Sequence, residues 1–304
     1  MGFILKILGS NAAAPAFNRN QTAQILNING KNFLIDCGEA TQLRLKRVNV
    51  RINKIDHIFI SHLHGDHYFG LIGLLSTMHL FGRKKEINLF CPSPLQEIIE
   101  LQLRYSDTRL NYTINYFFTD KTDESIIFET KDVIVEKFPL DHGIFCTGFL
   151  FREKPKSRKI QKDKLPDSFH ISDMVKLKMG EDILDEDGNV IFKNEDYTLP
   201  PPEPKSYAYC SDTKYDESLI SIIRSVDLLY HEATFMNDMK QRAGDTFHST
   251  AEQAATIAKK AGVDKLLLGH FSVRYRELEP VLEEALKVFK NTRLAIEGEF
   301  YEVN

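Results

Sequence analysis

Between His62 and His67 this chain of 304 residues places three histidines and an aspartate, in the run Ser61-His62-Leu63-His64-Gly65-Asp66-His67. The apolar stretch Ile55 to Ile60 precedes the run, and Leu71, Leu74, Leu75 and Met78 follow it at helical spacing. That order predicts a buried strand over 55–60 and a helix over 67–80. In extended backbone His62 and His64 point the same way, because side chains alternate with period two. The chain then turns at Gly65 and presents Asp66 and His67 as the helix begins. Four ligand-type side chains therefore converge at one strand end. Imidazole with carboxylate suits zinc and, less specifically, manganese or iron.

Three further candidates lie downstream. His142 sits in Leu140-Asp141-His142-Gly143, Asp212 in Cys210-Ser211-Asp212-Thr213, and His270 in Leu268-Gly269-His270. Each stands where an expected strand gives way to a loop, the usual place for sites in α/β folds. Taken singly, Asp212 fits a turn and His142 a surface position equally well. Together with the box, the set supplies enough ligands for two metals and an open position. The remaining histidines His57, His79, His170 and His231 read as structural or surface residues.

The rest of the chain alternates in kind. Strand patterns run over 3–8, 22–28 and 31–35, the last two joined by Asn29-Gly30, a type I′ hairpin signal. Others cover 87–91, 112–118, 133–138, 207–210, 226–230, 265–268 and 293–296, with helices at 40–47, 94–105, 251–261 and 280–289. This order predicts an α/β fold with a mixed sheet core and helices outside. Residues 152–205 differ. A basic stretch (Arg152, Lys154, Lys156, Arg158, Lys159, Lys162, Lys164) is followed by acidic residues, an Asp187-Gly188 hairpin signal and Pro200-Pro201-Pro202. The segment reads as an insertion projecting from the core.

Composition narrows the class. Hydrophobic content of 42% and charged content of 27% are ordinary for a soluble enzyme, and the length is sufficient for a large core. No run reaches the roughly 18 apolar residues that span a membrane. The N-terminus lacks the basic start and cleavage site of a signal peptide. Cys37, Cys91, Cys146 and Cys210 form no CxxC pair, which points to free thiols and a cytoplasmic location. A net charge of −4 neither marks nor excludes a nucleic-acid binder, since local clusters govern phosphate contact.

With these residues assembled, the sequence resembles the metallo-β-lactamase superfamily and, within it, ribonuclease Z. Besides the histidine box, the resemblance rests on Leu8-Gly9-Ser10 with Arg19-Asn20, Asp36-Cys37-Gly38-Glu39-Ala40-Thr41-Gln42, and Ser211-Asp212-Thr213. It also rests on His231-Glu232-Ala233-Thr234-Phe235, His248-Ser249-Thr250 and Gly269-His270-Phe271-Ser272-Val273-Arg274-Tyr275. The box identifies only the superfamily; the segments around Glu39, Glu232 and His248 point to ribonuclease Z.

The resemblance implies a four-layer αββα sandwich holding two zinc ions, with residues 152–205 as an arm that grips tRNA. His62, His64 and His142 would hold one zinc, Asp66, His67 and His270 the other, and Asp212 would bridge them. Asp66 would also accept the proton of the attacking water, with Asp36 fixing ligand orientation. His248, oriented and kept charged by Glu232, is the candidate proton donor. The substrate would be precursor tRNA, cut to a 3′-hydroxyl and a trailer with a 5′-phosphate, and the enzyme a homodimer. The basic stretch of the arm, a second group (Arg44, Lys46, Arg47, Arg51, Lys54) and Arg274 are candidate phosphate contacts. The arm departs from the Gly-Pro-rich pattern of many members at Phe169-His170-Ile171-Ser172-Asp173, while Leu177-Lys178-Met179-Gly180 matches. Two other readings compete: a hydrolase of the same fold acting on a small phosphodiester, sulfate ester or lactone, and a non-catalytic RNA-binding protein. The basic arm and the His231 and His248 segments argue against the first, and the full ligand set against the second.

Overall fold

Side-chain alternation sorts the strand residues onto two faces, and both faces are covered. In the computed structural model, which describes residues 2–121, 123–166 and 169–303, two seven-stranded sheets form among the described residues. Asp167 and Ser168 of the 152–205 segment lie outside them. The first sheet runs Phe300–Glu302, Phe3–Gly9, Ala23–Ile28, Lys31–Ile35, Ile55–Phe59, Ile87–Cys91, Ile114–Phe118. It is antiparallel up to Lys31–Ile35 and parallel beyond. The second runs Thr292–Leu294, Lys265–Gly269, Leu228–Glu232, Ser206–Cys210, Cys146–Glu153, Val133–Leu140, Ser125–Glu129, parallel through its first four strands.

Large aromatic side chains fill the space between the sheets. Phe59 lies 5.3 Å from both Phe149 and Phe151, and Phe33 lies 5.7 Å from Phe151. Each such ring contributes about 1.5–3 kcal/mol through burial. Their strand neighbours point outward: Leu34 and Ile58 pack against helices Thr41–Arg47 and Leu71–Leu80, and Ala208, Cys210 and Leu229 against helix Ala251–Ala261. Helix, sheet, sheet, helix is the expected αββα order. Helix Ala251–Ala261 starts sharply because Thr250 and Gln253 cap each other reciprocally, at 3.2 and 2.9 Å, immediately after the His248 segment.

Several expectations needed adjustment. The helix expected over 67–80 is two pieces, Gly65–Tyr68 and Leu71–Leu80. The break lets the chain press against the 36–38 turn: Cys37 N–H donates to His67 O at 2.7 Å and Gly70 N–H to Cys37 O at 2.9 Å. The strands Ser125–Glu129, Cys146–Glu153 and Phe300–Glu302 were not anticipated. Cys146–Glu153 is buried on both faces, and its sequence, with Thr147, Gly148 and Arg152 among apolar residues, shows no alternation of period two.

The chain divides into two compact units, Met1–Glu129 with Ile134–Arg152 and Lys205–Asn304, and Thr130–Val133 with Glu153–Pro204. In the smaller unit, Lys159–Ile160 pairs with Thr198–Leu199 and Ile183–Leu184 with Val190–Phe192. Helix Ile171–Met179 ends on Gly180 at φ 92°, and buried Asn194 donates to Leu177 O at 2.5 Å. Phe169, Phe192 and Tyr197 meet in tilted and edge-on contacts 4.8–5.7 Å apart and form its small aromatic centre.

A methyl group at Gly70 would stand 2.0 Å from Gly38 O, a backbone atom that cannot swing away. Gly70→Ala is therefore expected to lower unfolding stability by about 3 kcal/mol. Urea denaturation reads this as a lower midpoint at unchanged slope; an unchanged midpoint would show that the two loops separate freely.

Candidate metal centre

The site residues stand at the carboxyl ends of strands. The box follows Ile55–Phe59, His142 follows Val133–Leu140, Asp212 follows Ser206–Cys210 and His270 follows Lys265–Gly269. Glu232 is the last residue of Leu228–Glu232. All seven expected ligands meet. Several residues at this edge hold a left-handed backbone without being glycine: Asp36 at φ 54°, His270 at φ 56°, Ala13 at φ 57° and Phe247 at φ 56°. Each such conformation costs on the order of 1–3 kcal/mol and persists where packing enforces it.

The donor atoms form two groups. In one, His64 Nδ1 lies 3.1 Å from both His62 Nε2 and His142 Nε2, and Asp212 Oδ2 lies 3.6 and 3.7 Å from those two nitrogens. In the other, His67 Nε2, His270 Nε2 and Asp66 Oδ2 are 3.3–3.6 Å apart. Asp212 Oδ1 completes it, 3.4 Å from His67 Nε2 and 3.2 Å from His270 Nε2. Ligands about 2.0–2.2 Å from a tetrahedral ion stand roughly 3.3–3.6 Å apart. Both groups lie close to that spacing, and the two oxygens of Asp212 are divided between them.

Hydrogen bonds to the opposite ring nitrogens set three of the imidazoles. His67 Nδ1–H donates to Asp36 Oδ2 at 2.7 Å, His142 Nδ1–H to Phe247 O at 3.0 Å, and His270 Nδ1–H to Thr234 Oγ1 at 2.9 Å. These contacts leave Nε2 facing the centre in all three rings. Asp36 also accepts from Ser61 N–H, Ser61 O–H and Tyr209 O–H at 2.8, 2.9 and 2.6 Å.

Titration follows from the crowding. Burial and the neighbouring His67 hold His62 well below the usual imidazole range, and burial and His142 lower His64. Both rings are neutral, the form a metal takes. Burial opposes a charge on His67, but Asp212, Asp66 and Asp36 overcome it and push the ring well above its ordinary value. Burial likewise opposes the Asp66 and Asp212 charges, yet the surrounding imidazoles hold both carboxyls low. The pocket is thus built for positive charge, and a cation held there would take the place of the His67 proton.

Glu232 and His248 form the second constellation. His248 Nδ1 lies 2.7 Å from Glu232 Oε1, and fully buried Glu232 also accepts from Thr213 N–H at 2.9 Å and Thr234 O–H at 2.6 Å. Burial disfavours the imidazolium, but the Glu232 carboxylate prevails and pushes His248 up to about 9. The His248 ring lies 5.1 Å from His142 and 5.5 Å from His270. Asp212, His248 and His270 also have ligand atoms within 4.8 Å of one another.

These residues line a cavity of about 520 Å³ that contains contributions the sequence reading missed. Ala13 N–H donates to Asp66 Oδ2 at 2.8 Å, and Phe69 and Arg242 join the expected Arg274 in the wall. Nothing in the sequence marks Arg242, which sits on the short helix Lys240–Asp245. The basic stretches are less free than expected. Arg44 is ion-paired with Glu297 and donates to Leu8 O, Arg152 pairs with Glu136 at 3.1 Å, and Lys156 pairs with Glu153 at 3.1 Å. Of the residues expected to be structural, His57 lies against Phe128 and Phe33, His79 accepts from Asn111 N–H, and His231 is buried beside Glu232. His170 caps helix Ile171–Met179.

Paired mixed sheets between helices, with a histidine–aspartate cluster at their strand ends, define a protein of the metallo-β-lactamase fold. The metallo-β-lactamase fold protein YhfI from Bacillus subtilis superposes with a TM-score of 0.70 at 19% identity, covering 99% of this chain and all of that one. Human tRNase Z, short form, superposes with a TM-score of 0.71 at 25% identity, covering 99% of each chain. Ribonuclease Z of Cytophaga hutchinsonii is 49% identical over 304 residues, the whole of this chain and 97% of the relative. The chain belongs to the ribonuclease Z family of endoribonucleases and, over residues 3–179, to the family described as Anti-Pycsar protein Apyc1.

Asp36 reaches the cluster through His67 and Ser61, and through Tyr209, whose hydroxyl also meets Ser211 beside Asp212. Asp36→Asn is expected to weaken metal affinity by about 10–100-fold while the fold survives. Chelator competition followed by metal analysis measures it; unchanged affinity would remove Asp36 from ligand orientation.

Proposed function

We propose that this chain is a zinc-dependent endoribonuclease that removes the 3′ trailer from precursor tRNA, leaving a 3′-hydroxyl on the tRNA and a 5′-phosphate on the trailer. The observation that carries the reading is the division of the Asp212 oxygens between two donor groups, beside a charged histidine that belongs to neither triad. His62, His64 and His142 would hold one zinc, Asp66, His67 and His270 the other, and Asp212 both. Two such ions, when bound, would acidify water at the site toward a pKa of about 7 and neutralise phosphate charge.

The chain's own residues supply the rest. Asp66, held ionised by its imidazole neighbours and by Ala13 N–H, accepts the proton of the attacking water. His248 donates to the departing 3′ oxygen, and Glu232 keeps it charged for that task. Arg242 and Arg274 flank the same cavity and meet the phosphate backbone. Residues 152–205 act as the tRNA-gripping arm. In support, the smaller unit has a cavity of about 930 Å³ where Arg158, Lys159, Lys162 and Lys178 stand beside apolar residues such as Ile160 and Met174, and phosphate contact there would be salt-sensitive. The enzyme works as a homodimer in the cytoplasm. The buried free cysteines suit a reducing compartment, and among the described residues no helix is long and apolar enough to cross a membrane.

The direct test is incubation with a 3′-extended precursor tRNA, mapping the cut and its end groups. A single cut at the trailer junction, lost with chelator and restored by zinc, is expected. Cleavage of bis-p-nitrophenyl phosphate with intact precursor would move the enzyme to small diesters.

His248→Ala should keep its metal content and lose about 10²-fold or more in turnover; near-normal turnover removes His248 from the reaction. The pH profile checks Glu232. His248 is a competent donor below about 9, so wild-type turnover falls as pH rises through that value. Glu232→Gln removes the raising carboxylate while burial still lowers the ring, so this alkaline limb should move to lower pH. A limb that stays in place would separate Glu232 from His248.

A further inference from the structure

Phe69 is 55% exposed, although it lines the catalytic cavity two residues after His67. Its ring does not hang free. A Cβ at Gly65 would lie 2.1, 2.3 and 2.6 Å from three carbons of the Phe69 ring, so the ring rests on glycine backbone between two ligand-bearing residues. The Tyr68 ring meets it edge-on at 5.0 Å, and Phe69 N–H closes the helical turn on Gly65 O at 2.9 Å. The result is an aromatic plate, backed by Gly65, half exposed and set in the cavity wall. Water against an open phenyl face is unfavourable, and a flat apolar partner would replace it.

The same wall supplies the surroundings such a partner needs. Arg242 and Arg274 are exposed on the cavity rim, and neither side chain has an ion-pair partner among the described residues. Asp66 and His248, the acceptor and donor of the proposed reaction, line the same space. A ligand filling it carries a planar ring and a negative charge side by side, which is the chemistry of a nucleotide. Every base has a π-face, so stacking there is tolerant of sequence.

We infer that Phe69 is a stacking platform for a nucleobase of the nucleotide adjoining the scissile phosphate, a base subsite built into the metal-ligand turn. The inference rests on the ribonuclease reading and deepens it. Gly65 then has a second role besides turning the chain: any side chain at this position would push the ring out of its seat. Phe69 acts by positioning the phosphodiester and takes no part in proton transfer.

The test is a cycle of enzyme and substrate changes. The enzymes are wild type, Phe69→Ala and Phe69→Trp, each with metal content verified. The substrates are a 3′-extended precursor tRNA and two versions with an abasic nucleotide on one or the other side of the cut. Phe69→Ala should lower kcat/KM on the normal precursor about 5- to 100-fold, and Phe69→Trp should restore most of it. On one abasic substrate wild type should fall by a similar factor, and Phe69→Ala should add little further loss. Equal losses from Phe69→Ala on all three substrates would overturn the subsite, as would an unchanged rate on the normal precursor. Failure of wild type to cut the normal precursor at all would instead sink the underlying ribonuclease reading.

Discussion

One carboxylate ties the fold to its site. Asp36, at the end of Lys31–Ile35, accepts from Ser61 twice, from His67, and from Tyr209 of the opposite sheet. It is fully buried, so a missing partner would leave charge unsatisfied in a low-dielectric interior. The four donors hold the two sheets, the histidine box and the His67 tautomer in one arrangement. The left-handed backbone at Asp36 follows from the same demand, since the carboxylate must reach Ser61 and Tyr209 together.

The fold then confines its irregular backbone to one edge. Regular strands carry aromatic rings between the sheets and aliphatic ones beneath the helices. Where those strands stop, backbone groups begin to serve the site. Phe247 O orients His142, and Ala13 N–H reaches Asp66. The His248 segment has a structural duty as well, since the Thr250 cap that starts helix Ala251–Ala261 lies two residues on. His248, the Phe247 carbonyl that orients His142 and the helix start are therefore linked along one short stretch of chain.

How far the sequence could be read depended on the range over which each signal acts. The hairpin at Asn29-Gly30 and the helix at Pro94–Tyr105 are local decisions, and both formed where turn chemistry and periodicity placed them. The ligand box was legible because four donors crowd into six residues. His142, Asp212 and His270 were legible only as candidates at expected strand ends, since their convergence depends on strand order that no local pattern encodes. Cys146–Glu153 was missed because burial on both faces erases alternation. Ala13 and Arg242 were missed because a backbone N–H and a surface arginine carry no signal until the fold brings them to the cavity. Arg44 was misread because its partner Glu297 stands 253 positions away.

Electrostatics explains how an acidic chain can still serve as an RNA enzyme. The formal charge is −4, yet the centre concentrates imidazoles around Asp66 and Asp212. Without cations, the carboxylates draw a proton onto buried His67, and Glu232 keeps another on His248. Metal ions would replace the first proton, while the Glu232–His248 pair is anchored separately through Thr213 and Thr234. The site would thereby gain positive charge where a phosphate must sit. Net charge is a poor guide here: the Debye length at physiological salt is about 8 Å, so a phosphate in this cavity responds mainly to the groups that line it.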